Sequence, residues 1–211
     1  MTGLSVQAST TTKEGVALPP ALLSDQDKET IKTVLIEALL QESDKSIRDL
    51  LAETLHTAAV HEYPDRWPNL LPLLLTTIQS SSSSSLTTPL SVDQQPQNIQ
   101  ILNILRVHNA LLALRKIVKR YEYKSKEQRG PLDDIVKQGF PLLLPLGQRF
   151  ILPEEHSLEA ATCLRQILKI FWSATQFYWP SNIDSQHVDP WFEILKNVMA
   201  KPLPEAYTGL E

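Results

Sequence analysis

The eight residues His61-Glu62-Tyr63-Pro64-Asp65-Arg66-Trp67-Pro68 restrict the fold more than any other stretch of this chain. Tyr63 precedes a proline, whose ring drives it out of the helical region of backbone space. Pro64 and Asp65 suit a first helical turn, where a missing N–H costs nothing and a carboxylate meets the positive end of the dipole. Trp67 then leads into Leu70, Leu71, Leu74, Leu75 and Ile78, apolar residues at helical spacing. The pattern predicts one helix ending, a turn, and a helix from Pro64 to about Gln79 that opens on an aromatic wedge. Such a joint connects two units of a stacked-helix protein.

The rest of the chain repeats the theme. Ser24 reads as an N-cap with Asp25 and Asp27 in the first turn, followed by the stripe Ile31, Val34, Leu35, Ala38 and Leu39. Asp44 opens a second helix whose expected inner stripe is Ile47, Leu50, Leu51, Leu55, Ala58 and Ala59. Only a few residues join the two, so they must lie antiparallel. A fourth helix is predicted from about Asn98 to Tyr121, a fifth from Pro131 to about Phe150, and a sixth from Pro153 to Tyr178. Asp189-Pro190 is expected to cap a seventh, Trp191 to Met199. Residues 1–20 read as a disordered leader, 203–211 as a tail, and 80–97, rich in serine and glutamine, as a disordered loop within one hairpin.

Helix openings at Ser24, Pro64 and Pro131 stand 40 and 67 residues apart. Without the loop of roughly 20 residues the intervals become about 40 and about 47, the period of HEAT-type helical pairs. The expected fold is therefore all-α, a right-handed α-α superhelix of HEAT/armadillo type spanning residues 21–202. It would hold three pairs (24–61, 64–123 and 131–178) and one further helix, 189–199. No partner is predicted after that last helix, and solenoids close their ends with polar caps; the chain reads as a slice of something longer.

Composition narrows the function classes. Hydrophobic content of 42% with 21% charged residues belongs to a globular chain, and the net charge of −4 gives no bulk attraction for nucleic acid or anionic membranes. The single Cys163 excludes an internal disulfide framework and fits a reducing compartment. No secretory signal or membrane-length apolar run is present. His61-Glu62 does not continue into a zinc-protease pair, and no phosphate-binding glycine loop occurs. Cys163, inside the sixth helix, reads as a core thiol and the scattered histidines as surface or helix-end groups, so neither an enzyme nor a cofactor or metal site is expected. Trp67, Trp172, Trp179 and Trp191 fall on or beside apolar stripes and are expected to pack in the core or between repeats.

One segment carries concentrated charge. Arg115 to Arg129 holds seven basic residues (115, 116, 119, 120, 124, 126 and 129) against Glu122 and Glu127, a net of +5. It reads either as a solvated helix end, where cations suit the dipole, or as a site for an acidic partner. Tyr121 and Tyr123 are interleaved, but signatures of base stacking or groove reading are lacking, so nucleic acid is not an expected partner.

Tyr63-Pro64-Asp65-Arg66-Trp67-Pro68 resembles the inter-repeat motif in the N-terminal HEAT repeats of the importin-β (karyopherin-β) family of nuclear transport receptors. Val118-Lys119-Arg120-Tyr121-Glu122-Tyr123-Lys124 with Glu127-Gln128-Arg129-Gly130-Pro131-Leu132 is similar to the importin seven and importin eight branch. Gln166-Ile167-Leu168-Lys169-Ile170-Phe171 and Trp191-Phe192-Glu193-Ile194-Leu195-Lys196 continue the similarity in order. It covers roughly residues 20–202, corresponding to about repeats two to four of such receptors, and the insertion at 80–97 exceeds the family's usual connection. The resemblance implies binding rather than catalysis. The GTP form of the Ran GTPase, cargo proteins and nucleoporins would be partners, and the protein would shuttle between cytoplasm and nucleus. A HEAT scaffold without Ran dependence and an exportin-type relative remain alternatives. In the resembled family the second helix of each pair lines the inner curve, which makes Arg48, Asp49, Glu53, His56, Arg115, Lys119, Arg165 and Lys169 the candidate Ran- or cargo-facing residues. Tyr63, Pro64 and Trp67 are implied to be structural.

Overall fold

The computed structural model describes residues 23–83, 96–153, 157–181, 183 and 185–200. The expected leader, the tail and residues 84–95 of the expected loop lie outside them. The described elements are helices α1 (Asp25–Gln41), α2 (Lys45–Glu62), α3 (Leu70–Ser83), α4 (Pro96–Lys119), α5 (Gly130–Phe150), α6 (Leu158–Thr175) and α7 (Ser185–Ala200), with a short 3-10 turn at Lys126–Gln128 and no strand among the described residues. Three successive pairs and a further helix form a HEAT-type solenoid.

The first two starts follow capping chemistry. The Ser24 hydroxyl accepts the Asp27 N–H at 3.1 Å, and one Asp44 carboxylate oxygen accepts those of Ser46 and Ile47 at 2.8 and 3.0 Å. The third helix differs from the sequence expectation. Residues 63–66 form a turn, with the Arg66 N–H donating to the Glu62 carbonyl at 2.7 Å and a cis Tyr63–Pro64 peptide, and α3 begins at Leu70. Pro68 is the reason: it removes Trp67 from helical backbone space, so a helix opening at Pro64 cannot run through it. Residues 80–83 and 96–97, expected in a loop, instead extend α3 and α4. Helix α6 starts at Leu158, capped by the Ser157 hydroxyl on the Ala160 N–H at 3.1 Å, and ends at Thr175. Helix α7 starts at Ser185, before the expected Asp189-Pro190 cap, and carries Pro190 in its second turn.

Helix α4 is the hub. It packs against α1, α2, α3 and α6, and its five consecutive residues Ala110 to Leu114 are all buried, as a helix surrounded by neighbours must be. Three helix ends are closed by side chains of other elements. Asn109 of α4, 0% exposed, donates from Nδ2 to the carbonyls of Leu39 and Glu42, both at 2.9 Å, at the end of α1. Arg120 donates from Nη1 to Ala59 and Tyr63, both at 2.9 Å, at the end of α2. Arg129 donates from Nη2 to Ala174 at 2.6 Å at the end of α6. Each supplies donors to terminal carbonyls that the helix itself cannot satisfy.

The joint after α2 is tied by a buried cation. The Lys32 ammonium lies 2.7 Å from Glu29, 3.3 Å from Glu62 and 2.7 Å from the Arg66 carbonyl, and 5.7 Å from the centre of the Trp67 ring. Burial disfavours its charge, yet the Glu29 and Glu62 carboxylates outweigh that and raise its pKa above the ordinary lysine value. The inner face of α1 is therefore Lys32, Leu35, Ile36, Leu39 and Leu40, one residue round from the expected stripe, and Ile31, Val34 and Ala38 are exposed. On α2 likewise Ile47 and Leu50 are exposed, and Ala52, Leu55 and Ala59 are buried.

Trp67 (5% exposed) and Trp191 (1%) are buried as expected. Trp191 stacks on Phe171 at 4.7 Å and meets Phe140 at 4.9 Å, joining α5, α6 and α7. Trp172 and Trp179 correct the packing expectation, since they are 62% and 53% exposed. Trp172 follows Arg165 by seven residues on the solvent stripe of α6, and Trp179 lies beyond the end of that helix.

Two substitutions test the joint. Trp67→Ala lowers stability by about 3–5 kcal/mol as a large-to-small core change. Lys32→Met, which leaves Glu62 and the Arg66 carbonyl without their ammonium, costs about 3 kcal/mol. Urea denaturation midpoints equal to that of the parent chain would contradict both roles.

Candidate functional site

Helices α2, α4 and α6 stand side by side and run in one direction. His56 and Arg120 fix the first register: His56 Nδ1 donates to the Lys116 carbonyl at 3.0 Å, and Arg120 reaches Ala59 and Tyr63. That carbonyl can only accept, so Nδ1 carries the proton. In the second register the Cys163 Sγ lies 3.9 Å from the Ile104 carbonyl, and Glu122 accepts hydrogen bonds from Ser173 and Gln176. Three second helices thus present one polar wall.

The sequence candidates divide on this wall into groups bound internally and groups that are not. Glu53 pairs with the Lys116 ammonium, which first by that hydrogen bond holds its carboxyl below the usual range. His56 is half-buried against α4. Asp49 is exposed, and Arg48 is half-buried with its Nε buried and without a hydrogen-bond partner. Arg115 has the same orphaned Nε; Lys119 and Arg165 are exposed and Lys169 is half-buried. Tyr63 and Trp67 are buried and Pro64 half-buried at the joint.

The basic run from Arg115 to Arg129 does not act as one patch. Lys116 is taken by Glu53, Arg120 caps α2 and buried Arg129 caps α6, leaving Lys124 and Lys126 exposed on the connection to α5. Arg115 and Lys119 instead face the wall's α4–α6 seam beside Arg165 and Lys169. Their mutual influence is visible in Lys169, whose pKa is lowered by burial and by the charges of Arg115, Arg165 and Lys119. Sequence reasoning had all four among its eight wall candidates but did not set them beside one another, because nothing local sets the α4–α6 register.

Sequence reasoning also missed Asn109, Lys32 and His108. The His108 Nδ1 donates to Asn109 Oδ1 at 3.1 Å, which orients the amide toward α1. Burial, the largest influence, lowers the pKa of His108 below its ordinary 6.5. Cys163 is fully buried and its thiol is pushed up to about 12 by burial, which removes thiolate chemistry at neutral pH. Among the described residues no His/Cys/Asp/Glu group is placed to hold a metal ion, and no helix is long and apolar enough to cross a membrane.

The His108 environment has a pH consequence. Below about 6.5 the unfolded chain takes up a proton there that the folded chain still refuses, so stability falls as pH drops through that region. Melting temperatures recorded from pH 7.5 to 5 should decline less steeply in His108→Gln than in the parent; parallel profiles would count against this origin.

No family model and no solved structure matches the chain. Curated proteins do. An importin beta-like SAD2 homolog of Arabidopsis thaliana is 27% identical over 184 residues, 87% of this chain and 15% of that protein. Human Importin-8 is 26% identical over 193 residues, 90% of this chain and 16% of that protein. Exportin-2 of Dictyostelium discoideum is 25% identical over 154 residues, 72% of this chain and 15% of that protein. The chain thus spans about one-sixth of the length of the relatives it matches. Over nearly all its own length the chain is similar to importin-β-type transport proteins.

Proposed function

We propose that this chain is part of a nuclear transport receptor of importin type that binds the GTP form of a Ran-type GTPase and cargo proteins on the α2–α4–α6 wall. It binds and releases partners and catalyses nothing. The observation that carries this reading is the similarity to Importin-8 across nine-tenths of the chain, which includes all three helices of the wall. GTPase and cargo then compete through a negative coupling that is reciprocal in free energy. In this reading the receptor contacts nucleoporins and shuttles between cytoplasm and nucleus.

Titration of the purified chain with Ran, loaded with a non-hydrolysable GTP analogue or with GDP, tests the reading. A preference of at least about tenfold for the GTP form, or about 1.4 kcal/mol, is expected. Equal binding of both forms would support a scaffold without nucleotide selectivity, and binding of neither would sink the receptor reading for this segment. The Exportin-2 similarity favours one alternative, an export receptor, in which the GTP form tightens cargo binding instead of weakening it.

A further inference from the structure

Across the α4–α6 seam the wall holds four cations in a compact array. Arg115 and Lys119 are spaced i, i+4 on α4, and Arg165 and Lys169 are spaced i, i+4 on α6. Each pair is about 6 Å apart along its helix, and packed helix axes lie about 8–10 Å apart. Among the described residues none of the four has a carboxylate partner, although the neighbouring Lys116 has one in Glu53. The Arg115 Nε and, on α6, the Gln166 Oε1 are buried without a hydrogen-bond partner. Trp172 stands one turn beyond Lys169 with its ring exposed. Cations crowd here, a hydrogen-bonding capacity is unused, and an aromatic face adjoins them.

We propose that this array binds an extended acidic peptide of the pattern Glu-x-Glu-x-Leu, or its Asp equivalents, lying along the α4–α6 seam. In an extended chain alternate side chains point the same way and lie about 7 Å apart. Two such carboxylates fit a staggered array in which Lys169 lies level with Arg115, Arg165 stands one turn before it on α6, and Lys119 stands one turn beyond Arg115 on α4. Arg115 supplies a forked donor to the first carboxylate. The third alternate side chain, apolar, then reaches Trp172. A nucleic acid fits less well. A continuous polyanion following the wall beyond four cations meets Glu53 and Asp49 on α2, and the whole chain carries a net charge of −4. The inference rests on the second helices being the binding face and does not require Ran, so the GTPase titration and the peptide experiment fail independently.

The probe is a fluorescein-labelled synthetic peptide with the Glu-x-Glu-x-Leu core, read by anisotropy on the full chain. Expected results are saturable binding that weakens as salt rises, and loss of binding when both glutamates become Gln. Arg165→Glu with Lys119→Glu, both at exposed positions, lowers affinity at least about tenfold. Lys124→Glu with Lys126→Glu makes the same change in net charge outside the array and leaves affinity within about twofold. Trp172→Ala weakens the Leu peptide and leaves a Ser-for-Leu peptide unchanged. Circular dichroism melts of the variants should match the parent. Equal losses in the two charge-reversal variants would overturn the proposal, because binding would then follow net charge alone. So would tighter binding of a single-stranded oligonucleotide of matched length.

Discussion

Closing one helix with a side chain from another is the constraint on which this fold depends. Terminal carbonyls left in a packed interface must find donors. Here Asn109 serves the end of α1, Arg120 the end of α2 and Arg129 the end of α6. Apolar packing alone lets two helices slide by a turn at modest cost. A donor that must land on particular carbonyls fixes the register, and α4, which carries Asn109 and leads into Arg120, fixes it for both helices of the first pair. The parallel order of α2, α4 and α6 follows from these anchors as much as from hydrophobic contact.

Helical content, pairing and the first two caps were legible in the sequence because they depend on local spacing. Ser24 and Asp44 act as caps by contacts within three residues. What was not legible depended on partners distant in the chain. Lys32 occupies an interior position of α1 because Glu62, thirty residues on, balances its charge, so the buried face sits one residue round from the one that hydrophobicity picks out. The start of α3 was misplaced for a local reason instead: Pro64 drew attention while Pro68 set the boundary. Trp172 shows the limit of counting aromatics as core. It shares a helical face with Arg165 and Lys169, and that face is solvent.

The candidate wall was only half legible for the same reason. Assigning the second helix of each pair to the wall selected α2, α4 and α6, but not which polar groups on them are already engaged. Glu53 and His56 belong as much to the α2–α4 contact as to any surface, since both reach Lys116. Truncating either would disturb the wall before it disturbed a partner, so loss of binding in such variants would say little about recognition.

Burial sorts the cations of this chain into two kinds, and the sorting has a consequence for any solenoid wall. Arg120 and Arg129 end on backbone carbonyls, where the geometry of the donor matters more than its charge, and Lys32 ends on one carbonyl and two carboxylates that neutralise it. Arg115, Lys119, Arg165 and Lys169 end on nothing among the described residues and repel one another, a cost that the fold bears with no structural return visible in it. Like charges held together across two helices raise the local potential more than the same charges scattered along one, because each partner charge then meets four at short range. A run of basic residues in sequence is therefore a poor guide to a basic surface in a helical repeat. Five of the seven between Arg115 and Arg129 disperse into caps, an ion pair and a loop, and the concentrated field arises where the other two meet two from a helix some fifty residues away.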